Sequence, residues 1–306
     1  MKSPVFVGSG VALVTPFTDD LESIDHDAYG RLIDWQIESG TDAIIAFGTT
    51  GEPSTVTAEE KIEGAAFAVK RAAGRVPVIV GAGGNDTRQT VAQAKRIEGT
   101  GADGLLVVTP YYNKTTQEGL YAHYMMIADA VRIPMILYNV PSRTGMNLMP
   151  ETAARLAAHE NIAGIKEASA DIGQIAEVAR LVDGRISLYS GNDDHIVPVL
   201  ALGGVGAVSV VANVMPEAVH QLVMRFLGGD ARGSRQLQLK INPLVKRLFA
   251  EVSPIPVKEA VRLMGFGNGL LRMPLVEVSE ENRMKLAEEM ETHGLISFAT
   301  DGCKKE

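Results

Sequence analysis

Residues 161–170, NIAGIKEASA, form a run of small and branched apolar residues broken near its middle by one lysine, Lys166. Ile162, Ala163, Gly164 and Ile165 show no polar alternation, the pattern of a short strand covered on both faces. An ammonium group in such a run needs a reason, because stripping it of water is costly. Either Lys166 ends the strand and reaches into solvent, as most lysines do, or the chain requires an amine in a dry place.

Outward from this segment, similar β-rich runs recur at intervals of roughly 20 to 35 residues. They are VALVTPF (from Val11), DAIIAFG (Asp42), VPVIVGAG (Val76), GLLVVTP (Gly104), PMILYNV (Pro134), ISLYSGN (Ile186) and AVSVVAN (Ala207), eight with the Lys166 segment. Helical patterns lie between them. Thr57 with Glu60, and Thr115 with Glu118, read as capping boxes, and Pro150 and Pro216 suit the first turn of a helix. Apolar strands alternating with helices imply parallel strands covered by helices, and eight such units predict a closed (β/α)8 TIM barrel, with a doubly wound sheet as the alternative.

After LGGDARGS (227–234) the strand rhythm stops, and residues 235–250, 254–266 and 279–294 read as helices. The expected division is therefore a barrel carrying the active site over 1–229 and a C-terminal helical region over 230–306, serving as an oligomer or lid element or simply packing.

Composition narrows the function. The formal net charge of −8, with no clustered basic stripe, argues against a nucleic-acid partner and favours small molecules. No leading segment has signal-peptide anatomy and no apolar run is long enough to span a bilayer, so a cytoplasmic location is expected and a membrane partner is not. The single cysteine, Cys303, lies in the polar stretch TDGCKKE, which offers neither a disulfide framework nor a plausible thiol nucleophile. The histidines show no paired metal-ligand spacing, so no metal is expected.

In a barrel the functional face lies at the carboxyl ends of the strands. Strand 2 ends there in GTTGE (48–52), strand 4 in TPYYN (109–113), strand 5 in YNVPSRTG (138–145) and strand 6 in the Lys166 segment. GTTGE reads as a tight turn whose backbone N–H groups, with the hydroxyls of Thr49 and Thr50, suit a small carboxylate, or as a plain strand-to-helix turn. Tyr111, Tyr112 and Tyr138 could simply pack. Consecutive strands are neighbours in space, however, so a phenol at the end of strand 5 falls beside the lysine of strand 6. Burial leaves a usable fraction of such an amine neutral and able to attack a carbonyl, with a phenol to move protons and an anion site to hold a keto acid. The glycines of GAGG (81–84) and GGVG (203–206) read as structural rather than as phosphate cradles. Asp193 and Asp194 in GNDDH read as a helix start rather than a metal pair, and GFGNGL (265–270) fails the dinucleotide fingerprint.

GTTGE, VTPYYNK, ILYNVPSRTG and GIKEAS, in that order on successive strands, resemble the dihydrodipicolinate synthase and N-acetylneuraminate lyase family of pyruvate-dependent class I aldolases. The resemblance covers residues 8–229 and continues less distinctively through the helical region. It implies that Lys166 forms a Schiff base with pyruvate without a separate cofactor, and that Tyr138 donates and accepts protons. Thr49 and Tyr112 match the rest of the proton relay, Tyr112 being expected from the neighbouring subunit of a tight dimer within a homotetramer. Thr50 would help hold the pyruvate carboxylate, and Gly191 and Val208 would line the pocket.

Arg143 matches the arginine that binds L-aspartate-4-semialdehyde in the synthase branch, and its planar fork suits a carboxylate. The implied reaction is condensation of pyruvate with that aldehyde to 4-hydroxy-tetrahydrodipicolinate, on the route to lysine and diaminopimelate. The alternatives are a lyase for 2-keto-3-deoxy sugar acids or N-acetylneuraminate, and a non-catalytic ligand-binding barrel. The family's lysine effector site is matched by Asn85 and Tyr111 but not by Pro53, Ala58, Lys61 and Gln89, which stand where a serine, two histidines and a glutamate are usual. Weak or absent feedback by lysine is expected.

Overall fold

The computed structural model describes residues 2–297. Each predicted strand segment overlaps a strand: β1 (Gly8–Ala12), β2 (Ala43–Ala46), β3 (Val78–Gly81), β4 (Gly104–Val108), β5 (Met135–Asn139), β6 (Ile162–Glu167), β7 (Ser187–Ser190) and β8 (Gly206–Ser209). They pair in chain order, all parallel, and β8 closes on β1. The TIM barrel expected from the sequence is the fold, and the doubly wound alternative falls away.

Successive side chains of a strand point to opposite faces, and here both faces are dry. Ala43 and Ile45, Ile79, Leu106, Ile136 and Val208 fill the barrel interior. Their neighbours Ile44, Ala46, Val78, Val80, Leu105, Leu137 and Leu188 pack outward beneath the helices. That is why the strands show no polar alternation. β1 starts at Gly8 rather than Val11: Gly8, Ser9 and Gly10 pair with Gly206, Ala207 and Val208, a ladder of small residues that an apolar pattern does not reveal. In β3, a side chain at Gly81 would place its Cβ 1.9 Å from the Phe47 carbonyl oxygen, so that glycine serves close backbone approach and not a phosphate.

The helix starts follow side-chain chemistry. Thr57 and Glu60 form the predicted reciprocal box ahead of helix Ala58–Ala72. The second predicted box is not formed. Helix Gln117–Ala128 is capped by Thr116, whose hydroxyl accepts from the Gly119 N–H, while Glu118 turns outward to pair with Arg155. With threonine at both 115 and 116, spacing alone could not choose the cap. Pro150 and Pro216 do occupy first turns.

Beyond the barrel come helices Ala231–Leu248, Ile255–Leu263 and Glu280–Thr292. Leu244 and Leu248, Val257 and Val261, and Leu286 and Met290 from these helices join the apolar cluster that lies outside the strands. Among the described residues no helix is long and apolar enough to cross a membrane. Cys303 lies outside the described residues.

Candidate active site

β5 and β6 pair with Tyr138 opposite Lys166, so the two side chains leave the sheet on the same face. Lys166 is only 5% exposed, which removes the solvent reading of its place in the strand. Its Nζ lies 4.1 Å from the centroid of the Tyr138 ring, itself buried in the interior cluster. A primary amine is thus held in a largely apolar barrel beside a phenol.

The backbone at the end of β7 comes close to this amine. A Cβ at Gly191 would come within 3.0 Å of Lys166 Cε, 3.0 Å of the Glu167 carbonyl oxygen and 2.6 Å of Ala168 Cβ. The Gly191 N–H donates to the same Glu167 oxygen at 2.8 Å, locking the backbone in that position. Val208, one of the predicted lining residues, is buried in the interior cluster with Tyr138.

At the end of β2, Thr49–Gly51 forms a short 3-10 turn. The N–H groups of Gly51 and Glu52 turn back to Gly48 and Thr49, and Thr15 donates its hydroxyl to the Gly51 carbonyl. Among the described residues, the backbone N–H groups and hydroxyls of Thr49 and Thr50 have no such partners. They remain available to an anionic ligand.

Arg143 sits on the short helix Pro141–Thr144, which follows β5. The loop is anchored from beneath: Thr109 at the end of β4 donates to the Thr144 hydroxyl at 3.1 Å, and that hydroxyl donates to Met146 O. Arg143 itself is exposed, and its Nη2 donates to the Ser253 carbonyl at 3.0 Å, leaving most of its donor fork open.

The model of the dihydrodipicolinate synthetase family matches residues 5–293. This chain belongs to the dihydrodipicolinate synthetase family. Among its relatives, the 4-hydroxy-tetrahydrodipicolinate synthase of Caldicellulosiruptor saccharolyticus is 53% identical over 95% of this chain and 98% of its own. That of a Thermoanaerobacter species is 51% identical over 97% and 99%. A crystal structure of dihydrodipicolinate synthase from Thermotoga maritima superimposes with a TM-score of 0.93 at 44% identity, covering 95% of this chain and all of that one.

One of the expected site residues stands apart. Tyr112 is 89% exposed and has a positive φ of 67°. Its loop is held by Asn85, which donates to the Tyr111 carbonyl at 3.3 Å, and by Asn113, which donates to the Asn85 carbonyl at 2.9 Å. Within one chain the phenol therefore projects away from the fold.

Of the expected effector positions, Asn85 and Tyr111 are in contact through that bond. Gln89 is engaged elsewhere, donating to the N-cap Asp86. Lys61 is buried, and burial alone pulls its ammonium down to about 8.

Sequence reasoning overlooked the polar support behind the site. Glu167 points outward from β6, where its carboxylate accepts from Asn139 Nδ2 at 3.1 Å and from the Ser169 N–H at 2.8 Å. Burial pushes its pKa up while these bonds oppose the shift. Asn139 in turn accepts from the Leu148 N–H, tying β5, β6 and the Arg143 loop together. The signal was present as polar residues beside the catalytic candidates, in YN and KE.

Asp193 was expected to start a helix. It opens a 3-10 turn, but its buried carboxylate accepts from the N–H groups of Val210 and Val211 at 3.0 and 2.9 Å, pinning the end of β8. Tyr189, also opposite Lys166 in register, is committed to the barrel base. Its hydroxyl donates to Phe6 O at 2.8 Å, and burial pushes it up to about 12.

Proposed function

We propose that this chain catalyses condensation of pyruvate with L-aspartate-4-semialdehyde to 4-hydroxy-tetrahydrodipicolinate, in the cytoplasm, on the route to diaminopimelate and lysine. It is a lyase of the class I type. The observation that carries the reading is the dry amine of Lys166 in register with Tyr138.

The Lys166 amine adds to C2 of pyruvate, and loss of water gives the imine. Removal of a C3 proton leaves an enamine, whose C3 attacks the semialdehyde carbon. The semialdehyde's own amino group then adds to the imine carbon, closing a six-membered ring and freeing Lys166. One water leaves per turnover, and no electrons are gained or lost, so the lysine itself serves in place of a separate cofactor.

Tyr138 supplies and removes the protons of imine and enamine formation, with Thr49 and Tyr112 completing the relay. The unpaired N–H groups of Thr49 and Thr50 hold the pyruvate carboxylate, and Gly191 and Val208 shape the space around its methyl group. The open fork of Arg143 receives the carboxylate of the semialdehyde. Tyr112 reaches the site of a partner copy, so the working unit is a tight dimer, paired into a tetramer. Feedback by free lysine is weak or absent, because Lys61 places a cation where a cationic effector would sit.

Arg143→Ala tests the choice of aldehyde. Adduct formation with pyruvate survives in the variant, while condensation falls by about 100-fold, as expected when one charged substrate contact is lost. Equal loss of both steps, or faster turnover of sugar aldehydes than of the semialdehyde by the unmodified enzyme, contradicts the assignment.

A further inference from the structure

Glu52, the last residue of GTTGE, makes long-range contacts that the proposed reaction steps do not use. Its side chain is 1% exposed and its backbone has a positive φ of 54°. A non-glycine residue in that conformation is held there by its surroundings. A buried carboxylate also has to be paired. Both requirements are met from beyond the barrel: Lys258 Nζ donates to one carboxylate oxygen at 2.5 Å, and the Arg272 N–H donates to the other at 3.2 Å.

Lys258 is equally enclosed, with its side chain 3% exposed and its nitrogen 4.0 Å from the centroid of the Phe17 ring. Arg272 lies over the same ring at 4.2 Å and pairs with Glu60, the capping residue of the helix after the turn. The segment leading to Lys258 also receives Arg143, through the buried residue Ser253. A stretch of the C-terminal region, 253–258, therefore touches the arginine of one proposed substrate subsite and, through Glu52, the threonine turn of the other. Buried ion pairs contribute little net stability compared with apolar packing, so stability alone is a weak reason for this one.

We propose that Glu52 and Lys258 are positioning residues: their ion pair sets the Thr49–Thr50 turn in the geometry that binds pyruvate. Neither residue meets the reacting atoms. Lys258 acts on Glu52, Glu52 fixes the left-handed end of the turn, and the turn presents its two free N–H groups. This rests on the reading of Thr49 and Thr50 as the pyruvate site.

The test uses the full-length enzyme and the variants Lys258→Met, Glu52→Gln and the double variant, which keeps the volume of the pair without charge. Each single variant is expected to raise the KM for pyruvate, and to slow borohydride-trapped adduct formation at Lys166, by about tenfold or more, with the KM for the semialdehyde within about threefold. The double variant is expected to match the worse single variant rather than multiply the two effects, because the residues act as a unit. If a single variant fails to fold, the double variant, which leaves no unpaired buried charge, decides by the same KM. An unchanged pyruvate KM in folded variants, equal changes in both KM values, or multiplicative losses overturn the proposal. Absence of any adduct in the unmodified enzyme defeats instead the functional reading on which it rests.

Discussion

Tyr138 and Lys166 stand opposite each other in register on β5 and β6, with the lysine nitrogen 4.1 Å from the centre of the tyrosine ring. The ring packs in the barrel interior and the proposed proton transfers belong to the hydroxyl, so the two can be separated. Tyr138→Phe is expected to keep the melting temperature close to that of the unmodified enzyme and to lower kcat by about 100-fold, the usual range for a lost acid–base group. A variant as active as the parent would remove the phenol from the mechanism.

Gly191 tests how closely the pocket fits the amine. Gly191→Ala pushes a methyl group against Lys166 Cε, Ala168 Cβ and the Glu167 carbonyl, and only the lysine stem can yield. Displacing the nucleophile is expected to slow adduct formation by about tenfold or more in single-turnover trapping. An unchanged trapping rate would mean that the lysine reacts from another position.

The exposed Tyr112 leads to a complementation experiment. Tyr112→Ala and Lys166→Ala are each expected to be nearly inactive alone. Coexpressed, they are expected to form mixed dimers in which one site has both residues, returning activity to a substantial fraction of that of the unmodified enzyme. No recovery in mixtures shown to contain mixed dimers would place Tyr112 outside a shared site.

His123 predicts a pH dependence of stability. It is 4% exposed, its Nδ1 is 2.9 Å from the Thr87 hydroxyl, and burial holds it down to about 4 from an ordinary 6.5. The unfolded chain therefore takes up a proton before the folded one as pH falls from 6.5 to 4. Stability is lost across that window, by up to ~3 kcal/mol from this group, with no further loss from it at lower pH. His123→Asn is expected to flatten that part of the melting-temperature profile. The same acid slope in both proteins would exclude His123 as its source.

The barrel was legible because strands covered on both faces leave unbroken apolar runs, and because parallel neighbours in sequence are neighbours in space. That logic alone brings Lys166 beside Tyr138. It could not rank the tyrosines: Tyr189 also faces Lys166, and only the bond to Phe6 shows that its hydroxyl is spent. Nor could it anticipate the join of Glu52 to Lys258, since 206 residues separate them and a buried ion pair has no local pattern. Thr115 and Thr116 show the same limit at short range, where adjacent candidates for one cap look alike until the backbone geometry selects one.

Borohydride trapping tests directly whether Lys166 is the nucleophile. Incubation with pyruvate and borohydride, followed by peptide mass analysis, is expected to show a reduced pyruvyl group on Lys166 and loss of activity in step with its formation. An enzyme that turns over without modification at Lys166, or that is trapped at a different lysine, contradicts the account.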